Sequence, residues 1–327
     1  MKKLKSFIEI IFVVIIFSNQ VFPQMKKVAQ TGLQFLQIDA GARASSMAGA
    51  MTIAGYDANA MFYNPAGIAR VSSNFDFMAN STQWFADIKY NSAALSYSLG
   101  DLGTIGVNAI FADYGDIVGT RVASNAQGYE TTGNVDVNAY SVGLSYAKNL
   151  SDKFTVGGTV KVVGQHLGAS LMPDGSLKDN KISGYAFDFG TIFYPGWKSL
   201  RFGMTIRNFS REFTYEQESF ELPLTFTFGI AMNVFDFIDI QDQSLLIAID
   251  AVHPRDFSER INLGAEYNVF NMVAIRAGYK TNSDVEGLTL GIGLYYNLSG
   301  IKLKVDYSYS KMNYFDNVNR FTVGFAF

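Results

Sequence analysis

Apolar and polar residues alternate with a period of two through most of this chain. In residues 301–310, for example, Ile301 and Leu303 alternate with Lys302 and Lys304. Because successive side chains of a β-strand point to opposite faces, the pattern predicts strands with one apolar and one polar face. It predicts fourteen strands, at about 74–82, 89–99, 103–112, 134–148, 153–166, 181–194, 198–208, 222–235, 243–253, 258–269, 272–281, 287–298, 301–310 and 319–327.

The lengths of strands and connections separate two interpretations, a soluble sandwich and a transmembrane barrel. Many predicted strands reach about nine residues, which is enough to cross a bilayer at a tilt and is long for a soluble protein. Every second connection is short: 100–103, 149–152, 195–197, 270–272 and 299–300. One further connection of this series, 236–242, is longer than the rest. The others are often long: 113–133, 167–180, 209–221 and 311–318. Outer-membrane barrels sort their loops in this way. The sequence therefore predicts an all-β fold, a 14-stranded antiparallel transmembrane β-barrel over residues 74–327.

The composition fits a barrel in contact with outer-membrane lipid. Charged residues make up 17% of the chain, below the roughly 25% of soluble domains. Removal of residues 1–24, which hold three Lys and one Glu, would change the net charge from −3 to −5, and such a balance argues against a nucleic-acid partner. The chain has no cysteine, which excludes disulfides, thiolate metal sites and cysteine catalysis.

The first 24 residues have the pattern of a secretory signal peptide. Lys2, Lys3 and Lys5 precede the apolar run 7–17, and a polar stretch follows it. We expect cleavage near Gln24, although no small-residue cleavage motif precedes it. An uncleaved anchor helix is the alternative, but the apolar run is short for a membrane span. The prediction is export to the outer membrane of a Gram-negative bacterium.

The last strand ends the chain with apolar residues on one face. These residues are Phe321, Val323, Phe325 and Phe327. A terminal strand of this kind resembles the signal that the bacterial outer-membrane assembly machinery reads. The alternative, an edge strand of a soluble sheet, would be an aggregation hazard.

On the predicted register, charged residues of both signs face the interior of the barrel. The main candidates are Lys161, Asp188, Arg207, Asp250, Glu266 and Arg276. Glu266 and Arg276 lie on neighbouring antiparallel strands and can pair across them. Side chains of opposite charge can pair with one another inside a polar lumen. This structural role is favoured over a dedicated ion or substrate site.

Residues 25–73 precede the first strand and are the candidate plug of the barrel. Fourteen strands enclose more space than wall side chains can fill, so water or a plug must occupy it. The stretch 57–69 (DANAMFYNPAGIA) is apolar and small. Asp57 can cap a short helix over Ala58–Tyr63 that Pro65 prevents from continuing. We expect Asn64, Pro65 and Ala66 to be buried against the inner wall.

The segment 35–71 resembles the N-terminal signature of the PorV/PorQ family of outer-membrane proteins, which is similar to the FadL-type channels. The matching positions are an F-L-x-I stretch (35–38), G-A-R-A (41–44), M-x-G-A (47–50) and D-A-x-A-x-x-x-N-P-A-G (57–67). The residues carried over from the motif are Gly41, Arg43, Asp57, Asn64, Pro65, Ala66 and Gly67. Ala48 stands where the family often has Gly. The detailed match covers about a tenth of the chain.

The resemblance implies a non-enzymatic component of type IX protein secretion in a Bacteroidota-like bacterium, with secretion components or secreted cargo as partners. The alternative is a FadL-like channel for hydrophobic molecules such as long-chain fatty acids. That alternative needs a path past the plug, and the pair Gly157–Gly158 could mark a kinked strand that opens sideways. No catalytic arrangement surrounds His166 or His253, the only histidines, and no metal-ligand or nucleotide motif occurs. We expect no cofactor and no metal site.

Overall fold

The computed structural model describes residues 31–172, 175–238 and 240–327, so the predicted signal peptide lies outside the described residues. Eighteen strands are present in this part of the chain. They are β1 (Phe75–Gln83), β2 (Lys89–Ser98), β3 (Thr104–Asp113), β4 (Ile117–Val122), β5 (Tyr129–Val135), β6 (Asn138–Asn149), β7 (Phe154–Leu171), β8 (Leu177–Phe193), β9 (Arg201–Phe209), β10 (Phe213–Thr214), β11 (Ser219–Phe220), β12 (Thr225–Asn233), β13 (Gln243–Pro254), β14 (Arg260–Val269), β15 (Val273–Lys280), β16 (Glu286–Leu298), β17 (Ile301–Met312) and β18 (Val318–Ala326).

Fourteen of these strands form one closed antiparallel barrel, which confirms the fold predicted from the alternation. Their order around the barrel is β1-β18-β17-β16-β15-β14-β13-β12-β9-β8-β7-β6-β3-β2. The first and last strands close it, and the backbones of Phe75 and Phe327 exchange two hydrogen bonds of 2.9 and 3.0 Å at this seam. Closure leaves the barrel sheet itself without an unpaired edge strand for another chain to extend.

The two faces of the wall have opposite chemistry. Side chains such as Leu144, Met204 and Ile275 point outward and are about half exposed or more. Their neighbours in sequence point inward and are polar and buried, as at Ser145 and Arg276. An apolar exterior around a polar interior is the reverse of a soluble sandwich and suits a wall surrounded by lipid.

The two ends of the barrel differ in the length of their connections. One end, called here the turn end, carries 99–103, 150–153, 194–200, 234–238, 240–242, 270–272 and 299–300 together with Phe75 and Phe327. The other end, called the loop end, carries the hairpin β4–β5, the projecting tips of β7 and β8, and the segment 210–224. It also carries four short connections, 84–88, 255–259, 281–285 and 313–317, so the predicted long loop 311–318 is wrong because β17 and β18 extend to Met312 and from Val318.

The predicted connections at the loop end need correction. Much of 113–133 is strand, because β4 and β5 pair outside the barrel. The predicted loop 167–180 is the extended tip of β7 and β8, which pair as far as Leu171 and Leu177. Alternation is weak there because exposed strands outside the membrane have no lipid-facing side to keep apolar.

Residues 31–73 lie inside the barrel and form the plug. Four short helices make up its regular part: the 3-10 helix Gln34–Gln37, the α-helix Ala42–Ser46 and the 3-10 helices Ala58–Phe62 and Pro65–Arg70. Thr31 forms a β-bridge with Glu221 at the loop end, and Arg70 donates a 2.6 Å hydrogen bond to the Asp152 carbonyl at the turn end. The plug therefore spans the barrel. Within the described residues, no helix has the length and apolarity needed to span a bilayer.

Candidate functional site: the plugged lumen

The N-P-A triplet lies at the centre of the contact between plug and wall. Asn64 is 1% exposed, and Pro65 and Ala66 are buried as well. The Asn64 side-chain amide donates to the carbonyls of Thr52, at 2.7 Å, and Thr191, at 3.2 Å. These bonds join three parts of the structure, since Thr52 belongs to an earlier part of the plug and Thr191 to β8.

Pro65 has a role beyond ending a helix. The 3-10 helix Ala58–Phe62 stops before it, and a second 3-10 helix begins at Pro65 itself. Asn64 caps this second helix, because its Oδ1 accepts a 3.0 Å hydrogen bond from the Ala66 amide. Proline is well suited to a first helical position, since it lacks the amide hydrogen that would have no partner there.

The expected capping role of Asp57 is wrong. Its side chain makes no capping hydrogen bond, and the amide of Ala58 instead donates to Oδ1 of Asp76, on β1, at 3.1 Å. Asp57 Oδ2 lies 3.5 Å from Nη1 of Arg43. A carboxylate held by a nearby guanidinium is not free to fold back onto its own helix.

Glycines in the wall make room for the N-P-A segment. A Cβ atom on Gly157 would lie 2.5 Å from the Ala66 backbone nitrogen, and one on Gly190 would lie 1.9 Å from Asn64 Oδ1. On the opposite wall, a Cβ on Gly291 would lie 2.4 Å from the Ser46 Cβ. These distances are too short for any side chain, so the glycines permit close approach of the plug.

The kink considered at Gly157–Gly158 is absent from the described strand β7, which keeps regular register with β6 and β8 from 154 to 166. The irregularity lies instead between β8 and β9, where Phe187 pairs with Phe209 but Phe189 pairs with Ile206. Asn208 has a φ of 62° at this bulge, and its amide donates a 2.7 Å hydrogen bond to Asp188 Oδ1. A bulge of this kind needs a residue that tolerates the left-handed region, which Asn does.

Arg43 connects the plug to a chain of buried charges on the wall. Its Nε and Nη2 donate to the two carboxylate oxygens of Glu266 at 2.8 and 2.9 Å. Glu266 stands opposite Arg276 in register and accepts a further 2.6 Å bond from its Nε. Arg276 also donates to Asp306 Oδ1 at 2.7 Å. Burial alone would lower the pKa of Arg43, but the adjacent Glu266 raises that pKa well above its ordinary value. Arg43 therefore stays charged.

A second charged contact holds the plug beside Gly41. Lys280, on β15, donates to Asp39 Oδ2 at 2.8 Å and also pairs with Glu286. Burial acts to raise the pKa of Asp39, but the charges of Lys280, Arg320 and Arg260 outweigh it and hold this pKa below the ordinary value of 3.8. Gly41 adopts a φ of 86°, a region that L side chains rarely enter. Gly67 packs against the Gly55 carbonyl, which a Cβ would approach to 2.7 Å.

The remaining predicted lumen charges also contact the wall or the plug. Lys161 Nζ donates to Asp188 at 2.8 Å and to Asn208 Oδ1 at 2.6 Å. Arg207 donates to the Phe62 carbonyl at 2.7 Å, and Asp250 accepts from the Thr52 amide at 3.0 Å. Each predicted charge thus has a hydrogen-bond partner, an arrangement that fits structural pairing and plug attachment.

On the side of β2, β3 and β6–β8, the loop-end part of the interior is apolar, a feature that the sequence reasoning missed. Wall residues there include Tyr90, Ile110, Ala112, Ala139, Val163 and Ala186, and the segment 213–222 adds Phe213 and Leu222. Plug residues Leu33, Phe35 and Leu36 fill this space, and only about 20 Å³ remains open beside Leu36. We call this region the apolar chamber. The sequence did contain a signal for this chamber: the large apolar residues Leu33, Phe35 and Leu36 lie in a segment of otherwise mostly small residues.

The apolar residues of the last strand and the two histidines lie outside the lumen. Phe321, Val323, Phe325 and Phe327 point outward, and the rings of Phe325 and Phe327 stack on Phe75. His253 Nδ1 pairs with Glu259 at the loop end, 2.9 Å away. In the described ranges, no group of three or more His, Cys, Asp or Glu side chains could hold a metal ion.

The closed fourteen-stranded antiparallel barrel matches the fold of FadL-type outer-membrane barrels among the solved structures. The structure is similar to that of the Ralstonia pickettii toluene transporter TbuX, with a TM-score of 0.56 and 14% identity over 88% of this chain and 97% of that one. For the Pseudomonas putida toluene transporter TodX the values are 0.57 and 11%, over 92% and 98%. For a Pseudomonas aeruginosa FadL homologue they are 0.56 and 10%, over 93% and 99%.

At sequence level the chain matches no family model and no curated protein. Two of the similar structures are named as toluene transporters and the third as a FadL homologue. The type IX secretion role implied by the motif resemblance receives no support from them.

Proposed function

We propose that this protein is an outer-membrane channel for hydrophobic small molecules. The observation that carries the proposal is the apolar chamber beneath the loop end. A water-filled pore for polar solutes has a polar lining, whereas Ile110, Val163 and Leu222 are apolar and buried at the entrance of this barrel. A hydrophobic molecule that enters from the loop end finds a surface suited to it, because binding removes apolar area from water on both sides.

The plug residues in the chamber show how a ligand would be accommodated. Leu33, Phe35 and Leu36 occupy the apolar space, so a ligand of similar chemistry must displace them. The similarity to two toluene transporters supports the same substrate class.

A binding experiment tests the proposal on the purified full-length barrel. We expect a fluorescent long-chain fatty acid or a monoaromatic hydrocarbon to bind, and a cell that expresses the protein to take up the ligand faster than a vector control. Val163→Asn places an amide on the chamber wall and should weaken binding about tenfold or more, since an unpaired polar group in an apolar site costs at least about 1–3 kcal/mol.

Thr205→Val is the matched control. Thr205 lies inward on β9, away from the chamber, and its Oγ1 has no hydrogen-bond partner among the described residues. Its replacement should leave binding unchanged. If neither ligand binds and uptake equals the vector control, the channel proposal is wrong.

The secretion role remains a second proposal, supported by the motif over 35–71 and by the projection at the loop end. In that projection Val118, Val122 and Leu177 are exposed on β4 and β8, beyond the lipid-covered wall. A partner protein could pack on such side chains. Affinity purification of the tagged barrel from intact outer membranes tests this role, and a preparation without secretion subunits or cargo would exclude it.

A further inference from the structure

A polar cavity of about 250 Å³ opens at the turn end of the barrel, opposite the apolar chamber. A single water needs only about 10–15 Å³ of such space, so the cavity has room for a larger molecule. Plug and wall both line it. Its charged side chains are Arg43, Asp57, Asp76, Glu266, Lys302, Lys304 and Asp306.

Most of these charges are already paired. Arg43 binds Glu266 through two hydrogen bonds, and Arg276, behind the cavity wall, binds both Glu266 and Asp306. Lys304 pairs with Asp76. These pairs are buried or partly buried and join the plug to β14, β15, β17 and β1, so they form a rigid frame around the cavity.

Asp57 and Lys302 are the two charges that this frame leaves incompletely matched. The nearest cation to Asp57 is Nη1 of Arg43, at 3.5 Å, while Arg43 directs its stronger bonds to Glu266. The other oxygen of Asp57, Oδ1, has no hydrogen-bond partner within the described chain. Lys302 forms no ion pair with any described residue, and its Nζ lies 5.2 Å from the centroid of the Tyr295 ring.

We propose that this cavity binds a small zwitterionic solute of the amino-acid type, with its ammonium group beside Asp57 and its carboxylate beside Lys302. The two side chains have opposite charges and line the same cavity without pairing with each other, so a molecule carrying both charges can bridge them. A ligand with one charge would leave the other protein charge unmatched in a partly buried site. Hydroxyl and amide groups of Ser72, Ser73 and Asn268 also line the cavity and can complete the ligand's hydrogen bonds.

Ligand-observed NMR and calorimetry on the full-length protein in detergent micelles test this site. The probes are glycine, alanine and leucine, with propylamine and propionate as analogues that carry one charge each. We expect at least one zwitterion to bind about tenfold more tightly than either analogue, because charge-assisted hydrogen bonds form at both ends.

Two variants assign the two ends. Asp57→Asn and Lys302→Gln should each reduce zwitterion binding about tenfold, to the level of a single-charge analogue. Asp101→Asn, in the turn between β2 and β3 and outside the cavity, should change nothing. Heat-dependent gel mobility checks that each variant forms a barrel. If Asp57→Asn does not form a barrel, Lys302→Gln still tests the site, because Lys302 is exposed near the start of β17.

Absence of zwitterion binding to the wild-type protein would overturn the proposal. So would binding that both variants leave unchanged, or propylamine binding as tight as that of the amino acids. Because the cavity and the apolar chamber lie at opposite ends, hydrophobic-ligand binding by the same preparation separates failure of this inference from failure of the channel function.

Discussion

At the scale of the residue, single charged groups on the plug connect it to the wall. Arg43 is the clearest case, since its guanidinium supplies both hydrogen bonds to Glu266. The motif resemblance marked Arg43, and strand parity placed Glu266 inside the barrel. Neither indicated that the two would meet, because they lie 223 positions apart in the chain and only the closed barrel brings them together.

Replacement of this group should loosen the plug. In Arg43→Met, Glu266 keeps Arg276 but loses a bidentate partner, so we expect a loss of about 3–5 kcal/mol in the free energy of unfolding and a higher single-channel conductance in planar bilayers. Arg121→Met, which breaks an exposed pair with Glu130 on the hairpin β4–β5, is the control and should leave conductance unchanged. Equal conductance of Arg43→Met and wild type would contradict a role in plug attachment.

Asp39 predicts a pH dependence with a definite sign. Its pKa is lower in the folded protein than its ordinary value of 3.8, so its contribution is fully present above pH 3.8 and is lost as the pH falls through the folded-state pKa. The difference in unfolding free energy between wild type and Asp39→Asn, about 1.5–3 kcal/mol for a hydrogen bond to a charged group, should be constant from pH 7 to about pH 4 and shrink below it. Urea unfolding in detergent at several pH values measures it, and a difference that grew on acidification would contradict the ion pair with Lys280.

At the scale of the element, strands and plug helices fit because the wall lacks side chains where the plug approaches. Alternation predicted the fourteen strands, since lipid on one side and a polar interior on the other impose it on every strand. It did not predict the hairpin β4–β5, which lies outside the lipid. Nor could it distinguish a glycine required by the curvature of a strand from a glycine that makes space for the plug, because the sequence alone does not show which atoms approach the glycine.

The neighbouring glycines of β7 test this fit. Gly157→Ala would place a Cβ 2.5 Å from the Ala66 backbone nitrogen, whereas the nearest atom to a Cβ on Gly158 is 3.5 Å away. We therefore expect Gly157→Ala to destabilise the protein by about 1–3 kcal/mol through overpacking and to raise conductance. Gly158→Ala should be nearly neutral in both measurements. Similar effects of the two substitutions would show that the N-P-A segment does not seat against β7 as described.

At the scale of the whole molecule, closure between the first and last strands converts a sheet into a barrel. Phe327 takes part through its backbone, which pairs with Phe75, and through its ring, which stacks 5.1 Å from that of Phe75. The sequence identified the aromatic C-terminus as an assembly signal, and that reading stays a prediction.

Phe327→Ser tests it. The variant should accumulate less folded barrel in the outer membrane, because it loses both the recognition residue and a stacking contact worth about 0.5–1.5 kcal/mol. Phe270→Ser, an exposed aromatic at the same end of the barrel, should assemble normally. Gel mobility with and without heating quantifies the folded fraction, and equal assembly of Phe327→Ser and wild type would exclude the signal.

The sequence by itself determined the barrel, its strand count and the inward direction of the charges, because strand periodicity is a local property that lipid on one side enforces. It also marked the segment 57–67 by its motif. Tertiary structure alone decided that Asp57 faces Arg43 and leaves its helix uncapped, that Pro65 begins a second helix, and that Leu33, Phe35 and Leu36 fill an apolar chamber. The first two outcomes depend on how the plug folds on itself inside the barrel, and the third on contacts with wall residues far along the chain. Such contacts are tertiary, and the local periodicity of the strands does not encode them.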